Sequence, residues 1–190
     1  MKTVCLLGSP RHDGNSDTLA NSFLHHASAL GAPTEVFKLA DLQYNGCKNL
    51  FRCKTDLDHC GQVDDLTPVL NAVSQAQVLV LASPVYFTTI TGQLKLALDR
   101  FFSFFVPDYA TAERRSRLTG ERHVVLVQTQ GESEENYAGL LDSFAHSFDW
   151  MGFENRHLIR ACGVRQPGDI KPDASVLKDC KETAQRIYGG

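Results

Sequence analysis

No stretch of this 190-residue sequence approaches the roughly 20 consecutive apolar residues that a membrane-spanning helix requires, and even the run from Phe101 to Val106 is broken by Ser103. A basic excess is missing too. The 19 Lys plus Arg stand against 22 Asp plus Glu, a formal charge of -3, which excludes the electrostatic footprint of a nucleic-acid binder. There is no internal repeat, low-complexity tract or linker, and 7 Pro and 14 Gly are too few for a collagen-like or disordered chain. The first apolar segment, Thr3 to Leu7, is too short for a signal-peptide core and runs at once into Gly8, Ser9 and Pro10, so a cytoplasmic protein is expected. In that reducing compartment the six cysteines are expected as free thiols or metal ligands in preference to disulfides.

What is present is the composition of an ordinary globular protein, 43% apolar and 22% charged, at a length that suits one domain spanning residues 1–190. Val4 to Leu7 is a continuous apolar run, the signature of a strand buried on both faces. A helix follows from Ser16, with Leu19, Phe23 and Leu30 on one face and Gly31 and Pro33 as its stop. Further strands are expected at Glu35 to Leu39, Val78 to Ala82, Arg122 to Thr129 and Phe153 to Val164. Helices are expected at Asp64 to Ser74, through Leu94, Leu98 and Phe101, at Glu134 to Met151, and at Val176 to Ile187. Strand and helix alternate, which predicts an α/β fold: a parallel sheet covered on both faces, with its binding crevice at the carboxyl ends of the strands. Residues 41–62 have no clear period and carry Cys47, Cys53 and Cys60, marking a functional loop within the domain.

Three strand-end loops then matter. The first holds Gly8, Ser9, Pro10, Arg11, Gly14, Asn15 and Ser16, between a buried strand and a helix N-terminus where free N–H groups and the macrodipole favour an anion. Ser9, Asn15, Ser16 and Thr18 add neutral polar groups and Arg11 adds charge, which together read as a phosphate cradle; the competing reading is a plain helix cap. It has neither the Lys of a Walker loop nor the dinucleotide fingerprint. The second loop, Pro84, Val85, Tyr86 and Phe87, sets a stiffened turn and two aromatics beside the cradle, which suits a flat ligand. Thr129, Gln130 and Gly131 form a third polar strand end able to meet the edge of such a ring.

Taken together, G-S-P-R-H-D-G-N-S at 8–16, D-D at 64–65, S-P-V-Y-F at 83–87, Gln93, Lys95, Asp99, Arg100 and T-Q-G at 129–131 resemble the flavodoxin-like NADPH-dependent FMN reductase superfamily. Within it the resemblance points to the branch of iron-sulfur flavoproteins and their cluster-free relatives, and it spans nearly the whole chain. It implies a five-stranded parallel sheet in the order 2-1-3-4-5. It also implies FMN, with the phosphate on Ser9, Arg11, Asn15, Ser16 and Thr18, the ring against Pro84, Val85, Tyr86 and Phe87, and Thr129, Gln130 and Gly131 near the pyrimidine edge. A homodimer or homotetramer is implied as well. Electrons would pass from NAD(P)H through FMN to a quinone, flavin, metal ion or other small acceptor, with no obligatory catalytic side chain. A non-enzymatic FMN electron carrier and an iron-sulfur flavoprotein fed by a ferredoxin remain alternatives.

The branch's compact four-cysteine motif is incomplete in this chain. Cys47, Cys53 and Cys60 match its second, third and fourth positions and Tyr44 stands where the first should be, so a four-iron cluster is not expected, nor zinc on three Cys and His59; a covering loop with free thiols is the favoured reading. Cys5, Cys162 and Cys180 are expected as buried packing residues. Cys5 and Arg11 also fit the Cys-x5-Arg pattern of tyrosine phosphatases, but Leu6 and Leu7 continue the strand and bury the thiol. Arg114, Arg115, Arg117 and Arg122 are expected in a solvated loop, with the phosphate of NADPH as their functional alternative. Asp99 and Arg100 are expected either to pair or to meet a neighbouring subunit.

Overall fold

The computed structural model describes residues 1–172 and 174–189. Five strands, β1 (Thr3–Leu7), β2 (Thr34–Lys38), β3 (Val78–Pro84), β4 (His123–Thr129) and β5 (Asn155–Ala161), make one sheet in the order β2-β1-β3-β4-β5, and every pairing is parallel. Their period of two explains the layers. Val4, Leu6, Leu79, Leu81, Val124 and Leu126 enter one core with α2 (Leu66–Gln75), α3 (Gly92–Arg100) and α4 (Ala145–Met151). The alternate residues Cys5, Leu7, Val78, Val80, Ala82, Val125 and Val127 enter the other, with α1 (Asn15–Ala29) and α5 (Ser175–Tyr188). Each such side chain taken from water contributes about 1.5–3 kcal/mol, which is why the two-sided apolar runs settle in the sheet centre.

The sequence order reverses beside β1, where the chain has crossed to β2 on one side and returns to β3 on the other. This opens a crevice at the carboxyl ends of β1 and β3, the place where doubly wound sheets bind ligands.

Two expected elements are shorter in the structure. Of the helix expected over Glu134 to Met151, only Ala145–Met151 is α-helical, preceded by a 3-10 turn at Asp142–Phe144. The carbonyls that would start it are spent elsewhere: Gln130 Nε2 donates to Ser133 O and Asn136 O, and Arg160 donates to Glu134 O and Asn136 O. Tyr137 then adopts a left-handed φ of +59°, which a helix cannot continue through. The last strand stops at Ala161, because Gly163 turns with φ +71°. Cys162 consequently lies past β5 and is half-buried, not a packed strand residue as expected, while Cys5 and Cys180 are fully buried.

Candidate functional site

The crevice contains a cavity of about 330 Å³, within the range of small-molecule and cofactor clefts. Its floor begins where β1 ends. Gly8 N–H donates to Ala82 O at 2.8 Å and Thr91 Oγ1 donates to Gly8 O at 2.7 Å; a Cβ on Gly8 would meet Leu94 Cβ at 2.9 Å and Ala82 O at 3.0 Å, so only glycine fits there. Ser9 Oγ accepts the Arg11 N–H at 3.1 Å and shapes the turn that carries the chain to Gly14, the N-cap of α1. The N–H groups of Asn15, Ser16 and Asp17 open the helix and have no intrahelical acceptor, and Thr18 N–H is the first to find one, Gly14 O at 3.0 Å.

Ten of the twelve residues singled out from the sequence line this one cavity: Ser9, Arg11, Asn15, Ser16, Pro84, Val85, Tyr86, Thr129, Gln130 and Gly131. Thr18 and Phe87 do not. Thr18 is exposed on the second turn of α1 and its hydroxyl donates back to Gly14 O at 3.2 Å. Phe87 is 100% exposed at the tip of a two-residue hairpin, in which Tyr86 N–H donates to Thr89 O and Thr89 N–H to Tyr86 O. Both tip residues, Phe87 at φ +46° and Thr88 at +73°, occupy the left-handed region that glycine or asparagine normally fills in this turn. The hairpin aims Tyr86 along the cleft and swings Phe87 out of it.

Some lining residues serve the frame more than the space. Gln130 is 2% exposed; its amide accepts from Gln128 Nε2 at 2.7 Å and donates to the 133–136 loop, bracing the third wall. Asn15 Nδ2 donates to Gln166 O at 2.9 Å, while its buried Oδ1 has no partner in the chain.

The wall also includes residues that sequence reasoning missed: Glu132, Val164, Arg165 and Pro167. Val164 N–H donates to Gln130 O, Arg165 Nε and Nη2 donate to Gly131 O at 3.2 Å, and Arg11 Nη1 donates to Arg165 O at 2.9 Å. A Cβ on Gly131 would meet the Arg165 side chain at 2.9 Å, so glycine there admits the arginine. The signal was available, since Gly163, Pro167 and Gly168 punctuate the chain just beyond the fifth strand, and strand ends are where such sheets bind.

The cysteine loop lies apart from this cavity. Cys47, Cys53 and Cys60 surround a void of only about 20 Å³, and among the described residues no group of three or more His, Cys, Asp or Glu is arranged to hold a metal ion. Cys60 Sγ accepts from Arg100 Nε at 3.0 Å, and Tyr44 donates its hydroxyl to Gln93 O at 2.7 Å, its pKa pushed up to about 12 by burial and by Asp64 nearby. This donor set does not fit a four-iron cluster, which takes four thiolates.

Protein cations hold the loop instead. Arg100, fully buried, donates to Asp64, Asn45 O and Gln62 O; Lys54 Nζ donates to Phe102 O and Phe105 O at 2.7 Å; Arg117 donates to Cys53 O at 2.9 Å. Asp64 stays below the usual carboxylate range despite burial because Arg100 and Gln62 donate to it. Arg100 therefore pairs with Asp64, whereas Asp99 pairs with Lys95. The expected solvated arginine loop holds for exposed Arg114 and is corrected elsewhere: Arg122 is 5% exposed and donates to Ser74 O in the last turn of α2 and to Ala76 O just beyond it, and Arg115 stacks on Trp150. None of the four lines the cavity. Cys5 sits inside the sheet with its thiol pushed up by burial, which removes the phosphatase reading.

Comparison with known proteins decides the family. A family model of NADPH-dependent FMN reductase matches residues 1–154. The chain belongs to that family. An iron-sulfur flavoprotein of Methanocaldococcus jannaschii is 36% identical over 100 residues, which cover 53% of this chain and 51% of that protein, so the chain spans about half the length of this relative. A Bacillus subtilis protein named as an NAD(P)H-dependent FMN-containing oxidoreductase is 23% identical over 98% of both chains. Among solved structures, an FMN-dependent NADH-azoreductase of Bacillus anthracis in complex with FMN superposes with a TM-score of 0.75 at 20% identity, covering 99% of this chain and 100% of its own, which shows the shared fold. In this member of the FMN reductase family, the wall at 163–169 lies beyond the residues that the family model matches.

Proposed function

We propose that the cleft holds FMN and that the protein is an NAD(P)H-dependent oxidoreductase passing electrons to a small acceptor such as a quinone, a free flavin or a metal ion. The observation that carries this reading is the α1 N-terminus, whose unpaired N–H groups open onto the cavity next to Ser9, Ser16 and Arg11. Pro84, Val85 and Tyr86 supply the apolar wall for a flat ring system, and Thr129, Gln130 and Gly131 supply the polar wall.

When bound, FMN brings the two-electron chemistry, and the chain's share is to hold it, orient it and leave one side accessible. The N–H groups of Asn15 and Ser16 with the Ser16 hydroxyl bind the anionic end. Gly8 and Thr91 fix the turn that delivers them, and the Gln128–Gln130 pair keeps the opposite wall rigid. Tyr86, 42% exposed, stands at the entrance where a nicotinamide and then an acceptor would come in.

Supporting a homodimer or homotetramer, Phe87 is a fully exposed aromatic ring beside the cleft, carried outward by a left-handed backbone. The six free thiols suit a cytoplasmic setting, and no helix among the described residues is long and apolar enough to cross a membrane.

The test is the visible spectrum of protein purified without air, followed by stopped-flow mixing with NADH and NADPH. Flavin bands that bleach with either nucleotide support the proposal. A colourless protein that takes up no added FMN sinks the cofactor assignment, and flavin reduced by dithionite but by neither nucleotide turns the reading to an electron carrier.

A further inference from the structure

The anion cradle carries an apparent contradiction. Asp17, the third residue of α1, sits one residue beyond Ser16, and its side chain is 6% exposed. A carboxylate in a first helical turn is favourable to the helix because it answers the positive end of the macrodipole. For the same reason it competes with any anion that the helix end is meant to bind. Water screens little of this at such burial, and Asp17 Oδ1 has no hydrogen-bond partner in the chain.

Lys38, the last residue of β2, resolves it. Its side chain is 13% exposed, and its ammonium donates to Asp17 Oδ2 and to Arg11 O, the latter at 2.7 Å. One cation thus touches both the carboxylate behind the cradle and the backbone of the cradle itself. The other charges facing Asp17 are Asp13, on the loop, and His12, which is itself within 3.2 Å of Asp41; neither donates to the buried carboxylate. Beneath it lies the neutral, buried thiol of Cys5. Burial raises the Asp17 pKa even with Lys38 present, and Lys38, by hydrogen bond and by charge, opposes that rise more than His12 does.

We infer that Lys38 is a positioning residue for phosphate recognition: it cancels the Asp17 carboxylate and anchors the Arg11 carbonyl, so that the α1 N-terminus accepts a phosphorylated flavin. This rests on the cleft being the flavin site. It predicts selectivity within that site, because a flavin without the phosphate makes no use of the cancelled field.

The experiment titrates flavin-free protein with FMN and with riboflavin at about pH 8, following flavin fluorescence, for the parent and for Lys38→Met, Lys38→Arg and Asp17→Asn/Lys38→Met. Lys38→Met weakens FMN by about tenfold and riboflavin by less than about twofold, since the uncancelled carboxylate repels the phosphate that only FMN carries. Lys38→Arg keeps the FMN preference. The double variant, which removes both charges and leaves nothing buried and ionised, recovers most of the loss; it also keeps the test alive should Lys38→Met fold poorly. Equal weakening of both ligands, an FMN affinity unchanged by Lys38→Met, or no recovery in the double variant overturns the role of Lys38. A parent protein that binds FMN no better than riboflavin overturns the phosphate reading of the cleft, and the role of Lys38 with it.

Discussion

The cradle at residues 8–16 and the cysteine loop at 41–62 are both irregular, both polar and both packed on the sheet, yet their polar groups are spent in opposite ways. In the cysteine loop the chain's own cations take up the polar groups: Arg100 and Arg117 clamp loop carbonyls, Lys54 reaches out to Phe102 O and Phe105 O, and even Cys60 Sγ receives a guanidinium. In the cradle the first-turn N–H groups are left open toward a cavity, and the buried carboxylate of Asp17 beside them is paired from behind by Lys38. A loop whose carbonyls are held by its own chain's cations braces the fold, whereas unspent donors facing a cavity leave room for a ligand.

The sharpest way to break this contrast is Arg100→Met. Removing a fully buried guanidinium leaves Gln62 O without its donor and the Asp64 carboxylate without its cation, and about 3–5 kcal/mol of stability is expected to disappear in urea denaturation. Flavin affinity of the fraction that remains folded should hardly move, and a large selective loss of affinity would put the loop in the site. The converse substitution is Ser16→Glu, which sets a carboxylate into the open end of α1. FMN binding should fall by at least about 30-fold with little change in melting temperature, because repulsion in a poorly screened loop exceeds the roughly 1 kcal/mol of one lost hydrogen bond. FMN titration equal to the parent's would remove the cradle from the site.

Acid should act on neither region but on the sheet that carries them. His123 and His157 stack on neighbouring strands with Nδ1 and Nε2 3.2 Å apart, and burial lowers both pKa values, that of His157 to about 4 with His123 and Arg186 contributing. The unfolded chain takes up protons near pH 6.5, before the folded one does, so stability is whole above that value and declines as pH falls toward about 4. His157→Gln should flatten that decline, by about 2 kcal/mol or less, in denaturation curves taken across this window. The smallest effect expected is a gain: Thr88→Gly relieves a left-handed β-branched residue at the hairpin tip and should add about 1 kcal/mol of stability, read as a rise in melting temperature.

The sheet and its crevice were legible in the sequence because Val4–Leu7, Val78–Ala82 and Val124–Val127 are apolar on both faces, a pattern that few environments other than a covered parallel sheet accept. Most of the cavity lining followed from the rule that strand ends bind. What escaped was set by tertiary bonds that composition does not announce. The helix expected from Glu134 was displaced by carbonyls committed to Gln130 and Arg160, residues outside the segment. Arg122, polar and flanked by polar residues, was drawn under α2 by the orphan carbonyls at its C-terminus. Phe87 looked like a ring for the cleft, and a hairpin geometry that its own residue type disfavours turned it outward.

The tether between Arg11 and the Arg165 carbonyl, and that between Asn15 and the Gln166 carbonyl, join residues 154 and 151 positions apart. During synthesis the cradle leaves the ribosome long before the segment that walls it, and chains are made at roughly 5–20 residues per second, so the nascent protein exposes a half-built cleft for on the order of ten seconds. The cleft closes only when β5 docks on β4 and the following turn reaches back to the first loop. A truncation between residues 154 and 163 therefore leaves a chain that holds every residue the family model matches without a complete cleft.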